Sequence, residues 1–190
     1  NARPETDTPP LLAETLELTR SLLQKRAAEA GVGLTALLPE DELRPDCPVE
    51  KLRQIVFSMS AGAILRTATG GSVSLSAMLE PSGEVSVIAT EHERDGAPRP
   101  VEGSAAAQAG EAALALTRRM VESEGGVFEY GPITDPEVAG TRACSATFPA
   151  AGAETRGTVP QPSASSPADA QPLRLDTPIE AAVAARVNGS

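Results

Sequence analysis

The sequence predicts an α+β domain built as a two-layer sandwich, in which a mixed, mainly antiparallel sheet carries about three helices on one face. Three observations point there. Some stretches place apolar residues at i, i+3, i+4 and i+7, the period of a helix with one buried face; others alternate with period two, as half-buried strands do. Their order is helix, strand, helix, two-strand hairpin, loop, helix and two strands, which lacks the regular alternation of a doubly wound parallel fold.

Residues 3–10 are polar and rich in proline and read as a leader or linker. From residue 11 to about 30 the pattern is helical, with two leucine stripes: Leu11, Leu18 and Leu22, and Leu12, Leu16 and Leu23. Gly31 and Gly33 end it. Residues 32–38 form a short β-prone run, and an acidic, turn-like segment follows. Asp46 is placed to cap the next helix, with Pro48 in its first turn. That helix runs to about Arg66 with a buried stripe of Leu52, Ile55, Val56, Met59 and Ala63.

After a turn at Gly70-Gly71, Val73, Leu75, Ala77 and Leu79 alternate with polar residues. Pro81-Ser82-Gly83 supplies a hairpin turn, and Val85, Val87 and Ala89 alternate again. Residues 91–100 read as an irregular loop. Residues 105–123 are alanine-rich and helical, stopped by Gly125-Gly126. Two strands follow, at 127–130 and 141–148, joined by a loop with Pro132 and Pro136. Beyond Pro149 the composition shifts to Ala, Pro, Ser, Gly and Thr, which marks a tail without the apolar content to hold a core. Near its end Ile179, Val183 and Val187 recur at i, i+4 and i+8, enough for one short amphipathic helix. The expected organisation is a linker at 1–10, a folded domain at 11–150 and a tail at 151–190.

The chain of 190 residues has a formal net charge of −10, which argues against a nucleic-acid partner and against an anionic membrane surface. No apolar run approaches the ~20 residues of a membrane-spanning helix. Aromatic residues are 2% of the chain, so the core must come from Leu, Val, Ile, Met and Ala. Cys47 and Cys144 lie far apart without metal-ligand spacing, as buried thiols in a reducing cytoplasm would. The Asn1-Ala2 start, without an initiator Met, reads as a tag scar on a fragment of a longer protein.

Four collinear landmarks carry a family resemblance. Lys51-Leu-Arg-Gln54-Ile-Val-Phe-Ser58-Met-Ser-Ala-Gly62-Ala-Ile-Leu-Arg-Thr67 resembles the N-box helix of histidine kinases, (R)LRQxLxNLxxNAxKFT. Gly70-Gly-Ser-Val73 matches the turn into the next strand. Leu114 to Glu122, followed by Gly125-Gly126, resembles GLGLAxxxRLVExxGG. Gly140-Thr141 with Phe148-Pro149 resembles the closing GTxFxFxLP strand. The resemblance covers about residues 11–149 and implies the Bergerat-like fold of the histidine-kinase ATP-binding domain, from bacterial two-component signalling.

The same resemblance implies a degenerate nucleotide site. The second Asn of the N box gives Mg²⁺ a side-chain oxygen, and magnesium demands oxygen donors in near-octahedral geometry. Gly62 stands there and has none; Ser58, at the first Asn, is too short for the same reach. In the first glycine box, DxGxG, the adenine-binding Asp falls on Glu91 and the glycines on Glu93 and Asp95, so carboxylates face a polyphosphate. The second box, GxGLGL, reads Ala109-Gly110-Glu111-Ala112-Ala113-Leu114, with side chains where glycines would open a phosphate cradle. The degenerate equivalents are therefore Ser58, Gly62, Glu91, Glu93, Asp95, Gly110, Glu111, Ala113 and Thr141. Taken singly, Gly62 also reads as a close packing contact, Glu91 as an ordinary solvated acid, and Ala109 to Ala113 as helix formers.

His92 is the sole histidine and lies outside the HExxxP or HDxxxP context of a phosphoacceptor, so it reads as a solvated loop residue. With no second His and no Cys partner it forms no zinc site. Arg118-Arg119 reads as an exposed helix face. The expectation is a cytoplasmic, pseudokinase-like domain that needs no cofactor and meets a response-regulator receiver or a histidine-bearing helical hairpin, dimerising through an upstream region. The alternative is a divergent but active Mg-ATP-binding kinase domain.

Overall fold

The structure is a computed structural model and describes residues 11–94, 104–133 and 141–152. Within them three helices cover one face of a five-stranded sheet. The element order is α1 (Leu12–Glu29), β1 (Gly33–Leu37), α2 (Val49–Arg66), β2 (Ser72–Leu79), β3 (Glu84–His92), α3 (Ala105–Ser123), β4 (Val127–Pro132) and β5 (Arg142–Pro149). The strands lie in the order β1-β2-β3-β5-β4. Only β1 and β2 run parallel, because α2 provides the crossover that parallel neighbours require. The other neighbours are antiparallel. The α+β sandwich with three helices is thus the observed architecture.

Of the two leucine stripes on α1, the sheet takes one. Leu12, Leu16 and Leu23 are buried, whereas Leu18 is 42% and Leu22 62% exposed. Thr15 and Thr19 are buried beside the first stripe, a polar pair that period alone does not assign to the core. After α1, Gly31 adopts φ 68°, a left-handed conformation that a glycine enters without steric cost. Its carbonyl accepts from the Gly70 amide at 2.7 Å, which ties the turn before β1 to the turn before β2.

The stripe on α2 is buried as its spacing predicts: Leu52, Ile55, Val56, Met59 and Ala63 are at most 1% exposed. Asp46 does not cap this helix. The N-cap is Pro48, with no side-chain cap, and the Asp46 amide instead donates to the Pro149 carbonyl at 2.7 Å. The first turn of the domain is pinned the same way, by the Leu12 amide on the Leu43 carbonyl at 3.1 Å. Ser104 caps α3 through its side chain, which accepts from the Ala107 amide.

The hairpin joins β2 to β3 as expected, with the Gly83 amide on the Glu80 carbonyl at 2.9 Å. Two expectations here need correction. Leu79 continues the β2 alternation in sequence but is exposed at the sheet end. β3 is not half-buried: it is central, with Val85, Val87 and Ala89 under the helices and Ser86, Ile88 and Thr90 buried on the opposite face. There Ile88, Ala143 and Ile133 form a second small apolar cluster, with Met78 packed against it. β3 also runs on through Glu91 and His92, which were expected in a loop. α3 spans Ala105–Ser123, the bounds expected for it. The predicted helix at 179–187, the leader at 1–10 and most of the tail lie outside the described residues, as do Asp95 and residues 134–140.

Candidate functional site

On α2, Ser58, Gly62 and Arg66 recur every fourth residue and so share one face, which meets α3. On α3 the answering residues are Thr117, Ala113 and Gly110. The pairing runs in reverse order, so the two helices are antiparallel. Ser58 Oγ lies 3.0 Å from Thr117 Oγ1. A Cβ added at Gly62 would come within 2.9 Å of the Ala113 Cβ and 2.9 Å of Arg66 Nη1. A Cβ at Gly110 would stand 2.7 Å from Arg66 Cγ. Both glycines are therefore close-approach positions, and Gly62 is the packing contact that its helical context allowed.

The sheet supplies the third wall. The alternation that turns Val85, Val87 and Ala89 toward the helices turns Glu91 the same way. Its carboxylate meets Arg66: Nε donates to Oε1 at 2.8 Å and Nη2 donates to the same oxygen. The remaining nitrogen, Nη1, donates to the Gly110 carbonyl at 3.2 Å. The guanidinium carbon lies 4.9 Å from the centroid of the Tyr130 ring, over its face, within the range of a cation–π contact. Arg142 Nη1 donates to the hydroxyl of the same tyrosine at 3.3 Å. Arg66 thus ties α2, β3, α3 and β4 together in one side chain.

The pair is nearly dry, with side-chain exposures of 8% for Arg66 and 4% for Glu91. Burial works to discharge Arg66, but the charge and hydrogen bonds of Glu91 outweigh it and hold the guanidinium above its usual range. Burial pushes the Glu91 carboxyl above the usual carboxylate range, while Arg66 and, more weakly, Arg142 pull it back. The geometry is that of an ion pair, with two guanidinium nitrogens donating to one carboxylate oxygen. A buried pair of this kind contributes little net stability, since desolvation offsets attraction, but losing one partner costs a great deal.

The predicted positions divide accordingly. Gly62, Glu91, Gly110 and Ala113 converge around Arg66, while Ser58 lies two turns away along α2, against Thr117. Glu91 is not a solvated acid facing outward; it is neutralised inside the fold. Glu111 is exposed on α3. Glu93 lies just past β3, close enough for its charge to act on Glu91 and Arg142. Thr141 sits buried at the head of β5, where its carbonyl accepts from the Ile133 amide at 2.9 Å. His92 is no loop residue: it ends β3, half-buried, with Nε2 3.2 Å from Ser74 Oγ, and burial lowers its pKa. Among the described residues no group of three His, Cys, Asp or Glu side chains is placed to hold a metal ion, and no helix is long and apolar enough to cross a membrane.

Sequence reasoning missed Arg66, Tyr130 and Arg142 as members of the cluster. A signal was present for Arg66. It stands four residues after Gly62, on the same face, at the position where the N-box pattern has Phe.

Neither the protein-family models nor the curated proteins give a match to this sequence. Solved structures do. The catalytic domain of histidine kinase ThkA matches with a TM-score of 0.56 at 15% identity, over 75% of this chain and 95% of that one. A histidine kinase from Burkholderia phymatum STM815 matches with a TM-score of 0.55 at 22% identity, over 75% of this chain and 71% of its own. Full-length ShkA, solved in complex with AMPPNP, matches with a TM-score of 0.57 at 20% identity; 79% of this chain is covered, but only 32% of ShkA. At such identities the likeness is one of fold. The chain has the α+β fold of the histidine kinase catalytic domain.

Proposed function

We propose that this domain is a non-catalytic member of a histidine-kinase signalling system, which does not bind Mg-ATP at cellular concentrations and acts through protein contacts. The observation that carries this reading is the Arg66–Glu91 pair, seated between Gly62, Gly110 and Tyr130. On the family resemblance, Gly62 takes the place of the metal-ligating Asn of the N box and Glu91 that of the adenine-binding Asp of the first glycine box. The first brings no oxygen donor, and a guanidinium rather than a cation site lies beside it. The second has its carboxylate engaged within the fold. Ser58 is hydrogen-bonded to Thr117 rather than open to a ligand. Mg-ATP does not fit such a residue set, and no phosphate-transfer step is assigned to it.

What such a domain would recognise is a receiver domain of a response regulator or a histidine-bearing helical hairpin. The reading is tested by isothermal titration of Mg-ATP into the purified protein, with a labelled ATP analogue as cross-check. ATP is near millimolar in cells, where a binding free energy of about −4 kcal/mol already gives half occupancy. The expected result is no saturable heat at millimolar nucleotide. A micromolar dissociation constant would overturn the proposal and favour a divergent, active kinase domain.

A further inference from the structure

The first two turns of α3 bury little apolar side chain. Ala105, Ala106, Gln108, Ala109, Glu111 and Ala112 are exposed, and the buried residues of the helix are Gly110, Thr117 and Val121. Gly110 has no side chain, so the first two turns bury almost no apolar surface, and the hydrophobic effect scales with that surface. Two contacts from Arg66 reach these turns. Arg66 Nη1 donates to the Gly110 carbonyl, and Arg66 Cγ lies where a Gly110 side chain would otherwise stand. Arg66 is itself held to the central strand by Glu91.

We propose that Arg66 serves as a built-in ligand, whose guanidinium anchors the N-terminal half of α3 to the sheet and keeps it packed on α2 without any external molecule. The recognition is that of a planar cation. A carboxylate takes two N–H groups, a helix carbonyl takes a third, and an aromatic face stacks alongside. A planar guanidinium satisfies all of these at once, and a compact ammonium does not. Removing the side chain beyond Cβ therefore leaves a cavity selective for guanidinium ion. The inference concerns how α3 is held and does not depend on whether nucleotide binds, so its test and the Mg-ATP titration fail separately.

The test is amide hydrogen exchange on the full chain, comparing wild type, Arg66→Ala, Arg66→Lys and Arg66→Ala/Glu91→Gln. In Arg66→Ala, exchange in residues 107–114 should rise about tenfold or more, as a locally opened unit does, while β3 and β5 stay protected. Sub-denaturing guanidinium chloride should restore protection, while equal concentrations of methylammonium chloride or sodium chloride should not. The double variant, with no carboxylate to receive the ion, should not be rescued. If Arg66→Ala does not fold, Arg66→Lys carries the test: the charge is kept but the fork is lost, and residues 107–114 should still exchange faster than in wild type. Unchanged exchange in either folded variant would overturn the proposal. So would rescue by sodium chloride, or rescue of the double variant.

Discussion

Replacing Gly62 by Ala sets two known effects against each other, and the structure says which prevails. In a helix interior, Ala is favoured over Gly by about 0.8–1 kcal/mol, so on an open helix face this variant would be stabilised. Gly62 is not on an open face. The new methyl would lie 2.9 Å from the Ala113 Cβ and 2.9 Å from Arg66 Nη1. The Ala113 Cβ is bonded directly to the α3 backbone and cannot swing aside. Relief requires moving α3 away from α2, which stretches the 3.2 Å contact between Arg66 and the Gly110 carbonyl. The alternative, moving the guanidinium, pulls it off Glu91. Overpacking of this kind costs about 1–3 kcal/mol, and weakening a charge-assisted hydrogen bond adds to it. The expected net effect is a destabilisation of about 1–2 kcal/mol, seen as a lower urea midpoint at unchanged m-value and a Tm lower by about 2–8 °C. Ala113→Gly removes the methyl in the way. Combined with Gly62→Ala it should lose less than the sum of the two single changes, by about 1 kcal/mol. Stabilisation of Gly62→Ala by the full propensity gain, or strict additivity of the pair, would refute the close approach of the two helices.

Three further outcomes follow from the same structure. Glu91→Ala leaves the Arg66 guanidinium buried without its counter-charge and should cost about 3–5 kcal/mol in urea unfolding, whereas Arg66→Met with Glu91→Leu should recover most of that loss; equal and additive losses would mean that the pair is not coupled. Burial pushes the thiol of Cys144 up to about 12 and that of Cys47 to about 11, so both should resist alkylation in the native protein at pH 8. Because those folded values exceed the unfolded value of about 8.5, the thiols' contribution to stability is fully present below that pH and is lost as pH rises toward 11–12; Cys144→Ala should flatten that alkaline slope in urea titrations. Ile55→Asp places an unpaired carboxylate at a position with 0% exposure and should cost about 3 kcal/mol or more, so a thermal midpoint matching the parent would contradict the α2 register.

The elements were legible in the sequence because their causes are local. The stripe from Leu52 to Ala63 repeats every 3–4 residues and has one geometry that buries it. Gly31, Gly83 and Gly125 each mark a turn with positive φ, and that preference belongs to the residue itself. That Gly62 offers no side-chain oxygen was legible for a similar reason, since it holds in any fold. What the sequence left open or misassigned depends on partners distant in sequence. Both leucine stripes on α1 satisfy the helical period, and only contact with α2 and the sheet selects Leu12, Leu16 and Leu23 over Leu18 and Leu22. The polar residues of β3 suggested a half-buried strand, but neighbouring side chains bury its opposite face as well: Ile88 packs with Ile133 and Ala143, and Ser86 finds Thr147 Oγ1 at 2.7 Å on the adjacent strand.

The sequence alone therefore determined the fold class and the order of the elements, since each rests on residue type and spacing over a few turns of chain. Tertiary structure alone decided the state of Glu91. Read in sequence it is one acid among several at a strand end. In the fold, the strand period turns it inward and the helical period of α2 brings Arg66, 25 residues away, to meet it. A carboxylate's protonation, reach and availability depend on the charge beside it and the water around it, and neither is a property of its neighbours along the chain.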